Sequence, residues 1–356
     1  MRMNTVGILT FHRAHNYGAV LQCYALQTVL SSLGYKSGVV DFRPDYIEEN
    51  YRFFSFQKFL HSIQHPRLAV SYIKGMSERR NRKRLFCPFA EHFFKLIPFS
   101  ASVLPTDLDC VVIGSDQLWS INYTGGVINT YFGDIQHRPD QKIVGYAISS
   151  NEKSLKTIGE QQLKAFVSNF DMLSFREKSI ADIVYDMTGR ESAVCVDPVL
   201  LTNPEMWVPI MDNTCAQERY VLVYQVHSAG GDFKNAVKYA EQIADEIGCK
   251  VVDLTDGHCT PGEFVSRFKN AQFVVTTSFH GTVFSSIFHK QFVTLKVNDI
   301  VDERARNLLS QIGLIDRMID FDKPVPSDSV DFSVADKRLA VLRESSLDYL
   351  RNIMNS

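Results

Sequence analysis

Several polar stretches of the chain carry side chains that could do chemistry, and each follows an apolar run. The clearest is VVTTSFHGTVFSSIFHKQF, residues 274–292, in which Ser278, His280 and Gly281 lie between two apolar segments. A strand followed at once by a helix leaves backbone N–H groups at the helix start without intrahelical partners, and such groups favour an anion. We therefore predict an anion-binding turn at His280. The alternative is a structural histidine near a helix start.

A second polar cluster lies near the N-terminus, in FHRAHNYGAVLQCYAL, residues 11–26. An apolar run gives way here to a predicted helix through His15, Asn16, Tyr17 and Gly18. Free amides at the helix start could hold a phosphate, a carboxylate or a sugar hydroxyl, and Gly18 allows close approach. The alternative is a capped helix, because asparagine is a good N-cap residue.

The third stretch is CVVIGSDQLWS, residues 110–120, which we interpret as a strand followed at once by Gly114, Ser115 and Asp116. A carboxylate at a strand end can transfer a proton or hold a hydroxyl, and the alternative role for Asp116 is an N-cap. The stretch is not a G-x-S-x-G nucleophile elbow, because Asp116 follows Ser115 and no glycine comes after it. A serine hydrolase is therefore not favoured.

Cations follow two further predicted strand ends, and two more begin a predicted helix. Arg176, in LSFREKSIADI, leaves a strand and enters a helix, where it could bind a carboxylate or phosphate bidentately. The alternative is an ordinary surface ion pair. Lys296 closes the strand in QFVTLKVND, and Arg304 and Arg306 are predicted to begin the next helix. Together these residues predict a cationic site in the second half of the chain.

Composition excludes several classes of protein. The 356 residues are 45% hydrophobic, so a large core is expected. The formal net charge is -2, which lacks the excess of positive charge typical of nucleic-acid-binding proteins. The seven cysteines form no C-x-x-C pair, which favours reduced thiols in a cytoplasmic protein. We predict no metal site, because His258 and Cys259 have no partners at ligand spacing.

Strand-like and helical patterns alternate along the chain, which predicts βαβ units and parallel sheets. We predict an α/β fold of two Rossmann-like parallel-sheet domains facing a cleft. The boundaries are residues 1–205, with a helical insertion at about 50–98, then residues 206–334. A C-terminal helix at 335–356 is expected to pack back on the first domain. Ligands of such sheets bind at the carboxyl ends of strands, where the polar residues above are found.

One basic segment stands apart from these strand ends. GMSERRNRKRLF, residues 75–86, holds five cations in six positions and lies near Phe53, Phe54 and Phe56 in the sequence. It could contact anionic lipid headgroups or a lipid-linked substrate. The commoner alternative is a solvated helix face.

Five stretches, in order, resemble the polysaccharide pyruvyl transferase family: HNYGAVLQ, VIGSDQLW, SFREKS, VDPVLL and TSFHGTVFSSIFHK. The resemblance runs from about residue 5 to about residue 320. It implies a glycosyltransferase-B-like fold and transfer of a pyruvyl group from phosphoenolpyruvate to sugar hydroxyls, giving a ketal. It also implies a place in bacterial exopolysaccharide or cell-surface biosynthesis. The cysteines favour the cytoplasm, and the basic segment could bring the protein to the inner face of the membrane. Phosphoenolpyruvate is a substrate here, and no cofactor is expected.

By motif match, Arg176, His280 and Lys296 fall on positions that the family uses for the donor, with His280 either contacting phosphate or relaying a proton. The other roles are our own assignments from the positions of the residues in the chain. The catalytic residues would be His280 and Asp116, with Asp116 acting as acid or base. The donor-binding residues would be Arg176, Ser278, Gly281, Lys296 and Arg304. The acceptor, a nucleotide sugar, a lipid-linked oligosaccharide or a polysaccharide, would meet His15, Asn16, Tyr17 and Gly18.

The sequence departs from the family pattern at one position that concerns the donor. The better-understood branch of the family has Arg-x-His where this chain has Ser278, Phe279 and His280. Either Arg304 or Arg306 supplies the missing charge, or the donor is not phosphoenolpyruvate. The alternatives in function are a nucleotide-sugar glycosyltransferase and a non-catalytic sugar-binding protein of a polysaccharide assembly system.

Overall fold

The computed structural model describes residues 4–51, 66–100, 103–212, 217–226, 233–255, 257–326 and 328–354. Phe53, Phe54 and Phe56 lie outside this part of the chain. The chain divides into two compact units, of which the first comprises Met1–Leu201 and Ser345–Ser356 and the second Thr202–Glu344.

In the first unit the described strands form a seven-stranded sheet in the order β3-β2-β1-β4-β5-β6-β7. All neighbouring strands are parallel. Chain order reverses between β1 and β4, which makes their carboxyl ends the switch point where ligands of such sheets bind. The strands are β1 (Thr5–Leu9), β2 (Lys36–Val40), β3 (Leu96–Ile97), β4 (Cys110–Asp116), β5 (Lys142–Ile148), β6 (Met172–Phe175) and β7 (Ala193–Val194).

Helices connect these strands in the described residues, except between β3 and β4, as is usual for parallel pairing. Residues of β4 and β5 are buried along almost their whole length, which is typical of parallel strands covered on both faces. Trp119 anchors the core, because its ring stacks on Phe132 at 4.7 Å and its Nε1 donates to the Tyr131 carbonyl at 2.9 Å. The helices are α1 (Tyr17–Ser32), α2 (Asp45–Tyr51), α3 (Pro66–Phe93), α4 (Ile121–Thr124), α5 (Glu152–Ile158), α6 (Glu160–Val167) and α7 (Lys178–Thr188).

In the second unit the described strands form a five-stranded parallel sheet in the order β12-β11-β10-β8-β9. Its switch point lies between β8 and β10. The strands are β8 (Tyr220–Tyr224), β9 (Lys250–Asp253), β10 (Phe273–Thr276), β11 (Gln291–Leu295) and β12 (Met318–Ile319). The helices are α8 (Phe233–Ile247), α9 (Pro261–Asn270), α10 (Phe279–Ile287) and α11 (Asp299–Ile312), and α12 (Phe332–Arg351) passes from the second unit to the first.

The predicted α/β class with two Rossmann-like parallel sheets is confirmed, and several local details were wrong. Strand β4 does not end at Ile113 but continues through Asp116. Helix α11 begins at Asp299, so Arg304 and Arg306 lie inside the helix rather than at its start. No helix of the described residues is long and apolar enough to cross a membrane.

Candidate functional site

At the switch point of the first unit, hydrogen bonds tie the loop after β1 to the end of β4. The Thr10 hydroxyl donates to the Ser115 carbonyl at 2.8 Å, and Gln22 Nε2 on α1 donates to Thr10 Oγ1 at 2.9 Å. All three residues are buried. The structure therefore places the predicted acceptor turn, which begins at His15, and Asp116 at the same edge of one sheet.

Asp116 has an unusual backbone conformation, with a φ of 92°. The left-handed region costs a non-glycine residue about 1–2 kcal/mol. Two hydrogen bonds to its carbonyl oxygen hold it there, from Leu118 N at 2.8 Å and Ser149 N at 2.9 Å. Backbone strain of this kind is found preferentially at functional sites. Asp116 is not the N-cap of a helix, because α4 begins at Ile121 after Ser120.

The Asp116 side chain is half-buried. Its Oδ1 accepts a hydrogen bond from Gln117 N at 2.8 Å. No described residue donates a hydrogen bond to Oδ2. This oxygen is therefore available, within the described part of the chain, to take a proton from a hydroxyl or to hold one.

Arg176 lies at the end of β6 and is buried rather than exposed to a ligand. Its guanidinium pairs with Asp197 at 2.9 Å, and the two side chains are 4% and 0% exposed. It also donates to the Ser115 hydroxyl. Burial alone would lower the pKa of Arg176, but Asp197 and then Glu177 outweigh burial and raise it. An anion bound at Arg176 would thus meet these two carboxylates as well, and the donor role of Arg176 stays a prediction.

Asp197 is a residue of this site that the sequence analysis missed. It is fully buried, and its Oδ1 accepts a hydrogen bond from Val199 N at 2.9 Å. The motif VDPVLL contained it, but no pattern assigned it a partner. Glu177 was passed over in the same way: it is buried, and its Oε1 accepts from the Ser149 hydroxyl at 2.8 Å.

The predicted acceptor residues form the start of α1. Asn16 is exposed and caps the helix, because its Oδ1 accepts from Ala19 N at 3.2 Å. Tyr17 and Gly18 are buried, and the Tyr17 ring packs on Phe86 at 4.9 Å. The capped-helix alternative therefore describes Asn16 correctly. A cap does not exclude contact with a sugar, and the acceptor role of this turn stays a prediction.

His15 is buried beside cations. Burial, followed by the charges of Arg82 and Arg13, lowers the pKa of His15 to about 4. Arg82 also donates to the His15 carbonyl at 3.3 Å. The imidazole is consequently neutral near pH 7, so it can take part in a hydrogen bond with a hydroxyl but does not contribute a charge.

A buried histidine at the same edge has an acidic partner that the sequence analysis also missed. His12 Nε2 lies 3.1 Å from Asp41 Oδ1, just beyond the end of β2. The hydrogen bond from His12, together with Arg43, holds the pKa of Asp41 well below its usual range. Asp41 therefore stays ionised and fixes the ring of His12.

At the switch point of the second unit, Ser278 shapes the turn between β10 and α10. Its N–H donates to Thr276 Oγ1 at 3.0 Å, and its hydroxyl accepts a long hydrogen bond, 3.4 Å, from Gly281 N. A Cβ at Gly281 would collide with Thr276 Oγ1. Glycine is thus required by packing, and the Ser278 side chain caps the helix.

His280 lies in the first turn of α10 and is buried. The centroids of the His280 and Phe279 rings are 5.2 Å apart. The guanidinium of Arg304 lies over the Phe279 ring, 5.5 Å from its centroid. The structure therefore brings Ser278, His280, Gly281 and Arg304 together. Lys296 follows β11, the strand next to β10, at the same sheet edge.

The cations of the second unit differ in whether a carboxylate neutralises them. Lys296 pairs with Asp320 at 3.0 Å, and Arg306 pairs with Asp299 at 3.1 Å. Arg304 makes no ion pair with any carboxylate of the described residues. Within the same residues no cluster of three or more His, Cys, Asp or Glu side chains could hold a metal ion.

Comparison with solved structures finds remote similarity over the whole chain. UDP-N-acetylglucosamine 2-epimerase from Rickettsia bellii is 12% identical, with 99% of both chains covered and a TM-score of 0.40. The 2-epimerase from Neisseria meningitidis, bound to UDP-GlcNAc, is 9% identical over 99% of this chain and 94% of that chain, with a TM-score of 0.45. Arabidopsis thaliana UGT89C1, complexed with UDP-L-rhamnose, is 10% identical over 99% of both chains, with a TM-score of 0.45. Similarity this low does not extend their ligands to this chain.

No curated protein matches the sequence. The family model described as polysaccharide pyruvyl transferase matches residues 16–299. This range is most of the chain and contains Asn16, Asp116, Arg176, His280 and Lys296. The chain therefore belongs to the polysaccharide pyruvyl transferase family, a family of transferases.

Proposed function

We propose that the protein transfers a pyruvyl group from phosphoenolpyruvate to two hydroxyls of a sugar, forming a pyruvate ketal of a bacterial cell-surface or exopolysaccharide. The observation that carries this proposal is the family match over residues 16–299. The polar residues of that range support it, because Asp116 and His280 each lie at the switch point of a parallel sheet, where ligands of such folds bind.

The reaction needs a defined set of proton transfers. The methylene carbon of phosphoenolpyruvate takes up a proton and becomes the methyl group, which leaves cationic character on the neighbouring carbon. One sugar hydroxyl adds to that carbon, phosphate leaves, and the second hydroxyl closes the ketal. The two hydroxyl protons balance the proton on the methyl group and the proton on the released phosphate. A general acid, a base and cationic anchors are therefore required.

For the donor anions we propose Arg304, Lys296 and the turn at His280. Arg304 is favoured over Arg306 as the substitute for the arginine that Ser278 replaces. Arg304 lies over Phe279, next to His280, and is paired with no described carboxylate, whereas Arg306 is already paired with Asp299. Lys296 would have to leave Asp320, but this pair is partly exposed and so exchanges at small cost.

For the acceptor we propose the turn from His15 to Gly18, with Asp116 as the acid or base. A neutral His15 suits an uncharged hydroxyl. The strained backbone of Asp116 supports a functional role for its carboxylate. Ser278 and Gly281 would shape the donor turn without contributing charge. Ser278 caps the helix by accepting from Gly281 N, and glycine at 281 leaves room for Thr276.

A thermal-shift and calorimetric titration tests the donor. Phosphoenolpyruvate should stabilise the protein by about 2.7 kcal/mol at a hundredfold excess over its Kd, and UDP and GDP sugars serve as the comparison. His280→Ala and Arg304→Ala should abolish the stabilisation. The matched controls, His289→Asn and Arg306→Ala, should keep it, because His289 and Arg306 are exposed or partly exposed residues with partners of their own.

The same titration separates the alternatives. Stabilisation by a nucleotide sugar alone would overturn the donor assignment and favour a nucleotide-sugar glycosyltransferase. Phosphoenolpyruvate binding that survives both site variants would place the donor elsewhere. Phosphate release from phosphoenolpyruvate in the presence of sugar acceptors then distinguishes an enzyme from a sugar-binding protein.

A further inference from the structure

Helix α3 carries an exposed row of positive charge that the proposed reaction does not use. Arg80, Lys83 and Arg84 are exposed, and Arg79 and Arg82 beside them are half-buried. We refer to Arg80, Lys83 and Arg84 as the cationic face. These residues lie three and four positions apart, so they project from neighbouring turns of one side of the helix.

The opposite side of α3 is fixed to the first unit. Phe86 and Phe89 are buried, and their rings pack on Tyr17 at 4.9 Å and on Tyr24 at 6.1 Å. The Phe93 carbonyl, at the end of the helix, accepts a hydrogen bond from Gln27 Nε2 at 2.8 Å. The helix therefore cannot rotate to hide its charges, and the cationic face is held pointing away from this contact.

The charges of the cationic face are not neutralised locally. None of the three residues forms an ion pair with a carboxylate of the described residues, and Arg84 donates only to Asn81 Oδ1 at 3.2 Å. Three exposed lysines on other helices of the same unit behave differently. Lys156, Lys164 and Lys178 each pair with a carboxylate four positions away on the same helix.

We propose that the cationic face docks the protein on a bilayer containing anionic lipids. The face lies on the exposed side of a helix, which suits a planar surface better than the enclosure of one small anion. Its three cations span about 6 Å along the helix axis, so a planar array of lipid headgroups can contact all of them at once. A linear polyanion would instead be bound best by a longer row of cations. The net charge of -2 on the whole chain does not cancel this attraction, because charges beyond about 8 Å are screened at physiological salt.

Vesicle sedimentation tests the proposal without reference to enzymatic activity. The full chain is mixed with vesicles of phosphatidylcholine alone, or of phosphatidylcholine and phosphatidylglycerol in equal parts. We expect binding only to the mixed vesicles, and weaker binding at about 0.5 M than at about 0.1 M salt. The triple variant Arg80→Ala, Lys83→Ala, Arg84→Ala should lose about a hundredfold in partition coefficient, roughly fivefold for each cation.

A second triple variant controls for net charge and for folding. Lys156→Ala, Lys164→Ala and Lys178→Ala remove the same number of charges from residues that are already paired, and this protein should bind like the wild type. Both variants should unfold at the wild-type temperature, because all six residues are exposed. Equal binding by the two variants, or binding of soluble polyphosphate without binding of mixed vesicles, would overturn the proposal.

Discussion

Replacing Asp116 separates its chemical role from the cost of its backbone conformation. Asparagine at this position keeps the shape of the side chain, retains an oxygen that can accept from Gln117 N, and tolerates a positive φ. It loses the negative charge and the ability to take a proton. We therefore expect the free energy of unfolding of Asp116→Asn to lie within about 0.5 kcal/mol of the wild-type value. Turnover should fall by about 10²–10⁴, the typical contribution of an acid–base group.

Glycine and alanine at the same position measure the strain. Both lose the carboxylate and its hydrogen bond, which is worth about 1 kcal/mol. Alanine keeps a Cβ at a φ of 92°, and glycine relieves about 1–2 kcal/mol of that conformational cost. The greater freedom of glycine in the unfolded chain offsets about 0.5–1 kcal/mol of the relief. Asp116→Gly should therefore be more stable than Asp116→Ala by about 0.5–1 kcal/mol.

Urea denaturation gives the stabilities, and phosphate release from phosphoenolpyruvate with sugar acceptors gives the turnover. Calorimetry with phosphoenolpyruvate should show that donor binding survives in Asp116→Asn. Wild-type turnover in this variant would refute the acid–base role, and loss of donor binding would move Asp116 to the donor site. A glycine variant no more stable than the alanine variant would refute the argument from strain.

Two further predictions concern buried charges in the first unit. Asp197→Ala leaves the buried guanidinium of Arg176 without its carboxylate, so the free energy of unfolding in urea should fall by about 3–5 kcal/mol, and adding Arg176→Met should recover part of it. A loss below about 1 kcal/mol would contradict the importance of this ion pair. The pKa of His15 is lowered from 6.5 to about 4, so the unfolded chain binds a proton that the folded chain does not, and stability should decline as pH falls through that window. In His15→Gln the decline should be shallower, and an identical pH profile in the two proteins would contradict the depressed pKa.

The regular elements were predictable because their patterns are local. Helix α8 (Phe233–Ile247) and strand β10 (Phe273–Thr276) are examples of elements with such patterns. Amphipathic periodicity marks the first and a short apolar run before polar residues marks the second. Strands β3 and β12 have two residues each, which is too short for any period, and the sequence analysis missed both.

Polar residues that follow apolar strands can be placed roughly in the fold for a general reason. In a parallel sheet all strands end on one side, so a polar residue just after an apolar strand lies on the same side of the sheet as its counterparts, and strand order decides which of them are neighbours. Strand order itself was not predictable from one sequence. Pairing of β1 with β4 depends on contacts between residues more than 100 positions apart, such as Thr10 with Ser115.

The charge available at Arg176 and Lys296 was not predictable either, because their carboxylate partners follow neighbouring strands and strand pairing selects them. Arg176, Lys296 and Arg306 all have carboxylate partners from 7 to 24 positions away in the chain. A cation that is already paired gains less from a bound anion, since the anion replaces an existing interaction. Arg304 has no such partner among the described residues and lies over Phe279, beside His280. Of the cations that the sequence indicated, Arg304 therefore has the most to gain from a donor carboxylate or phosphate, and its replacement should weaken donor binding more than replacement of Lys296.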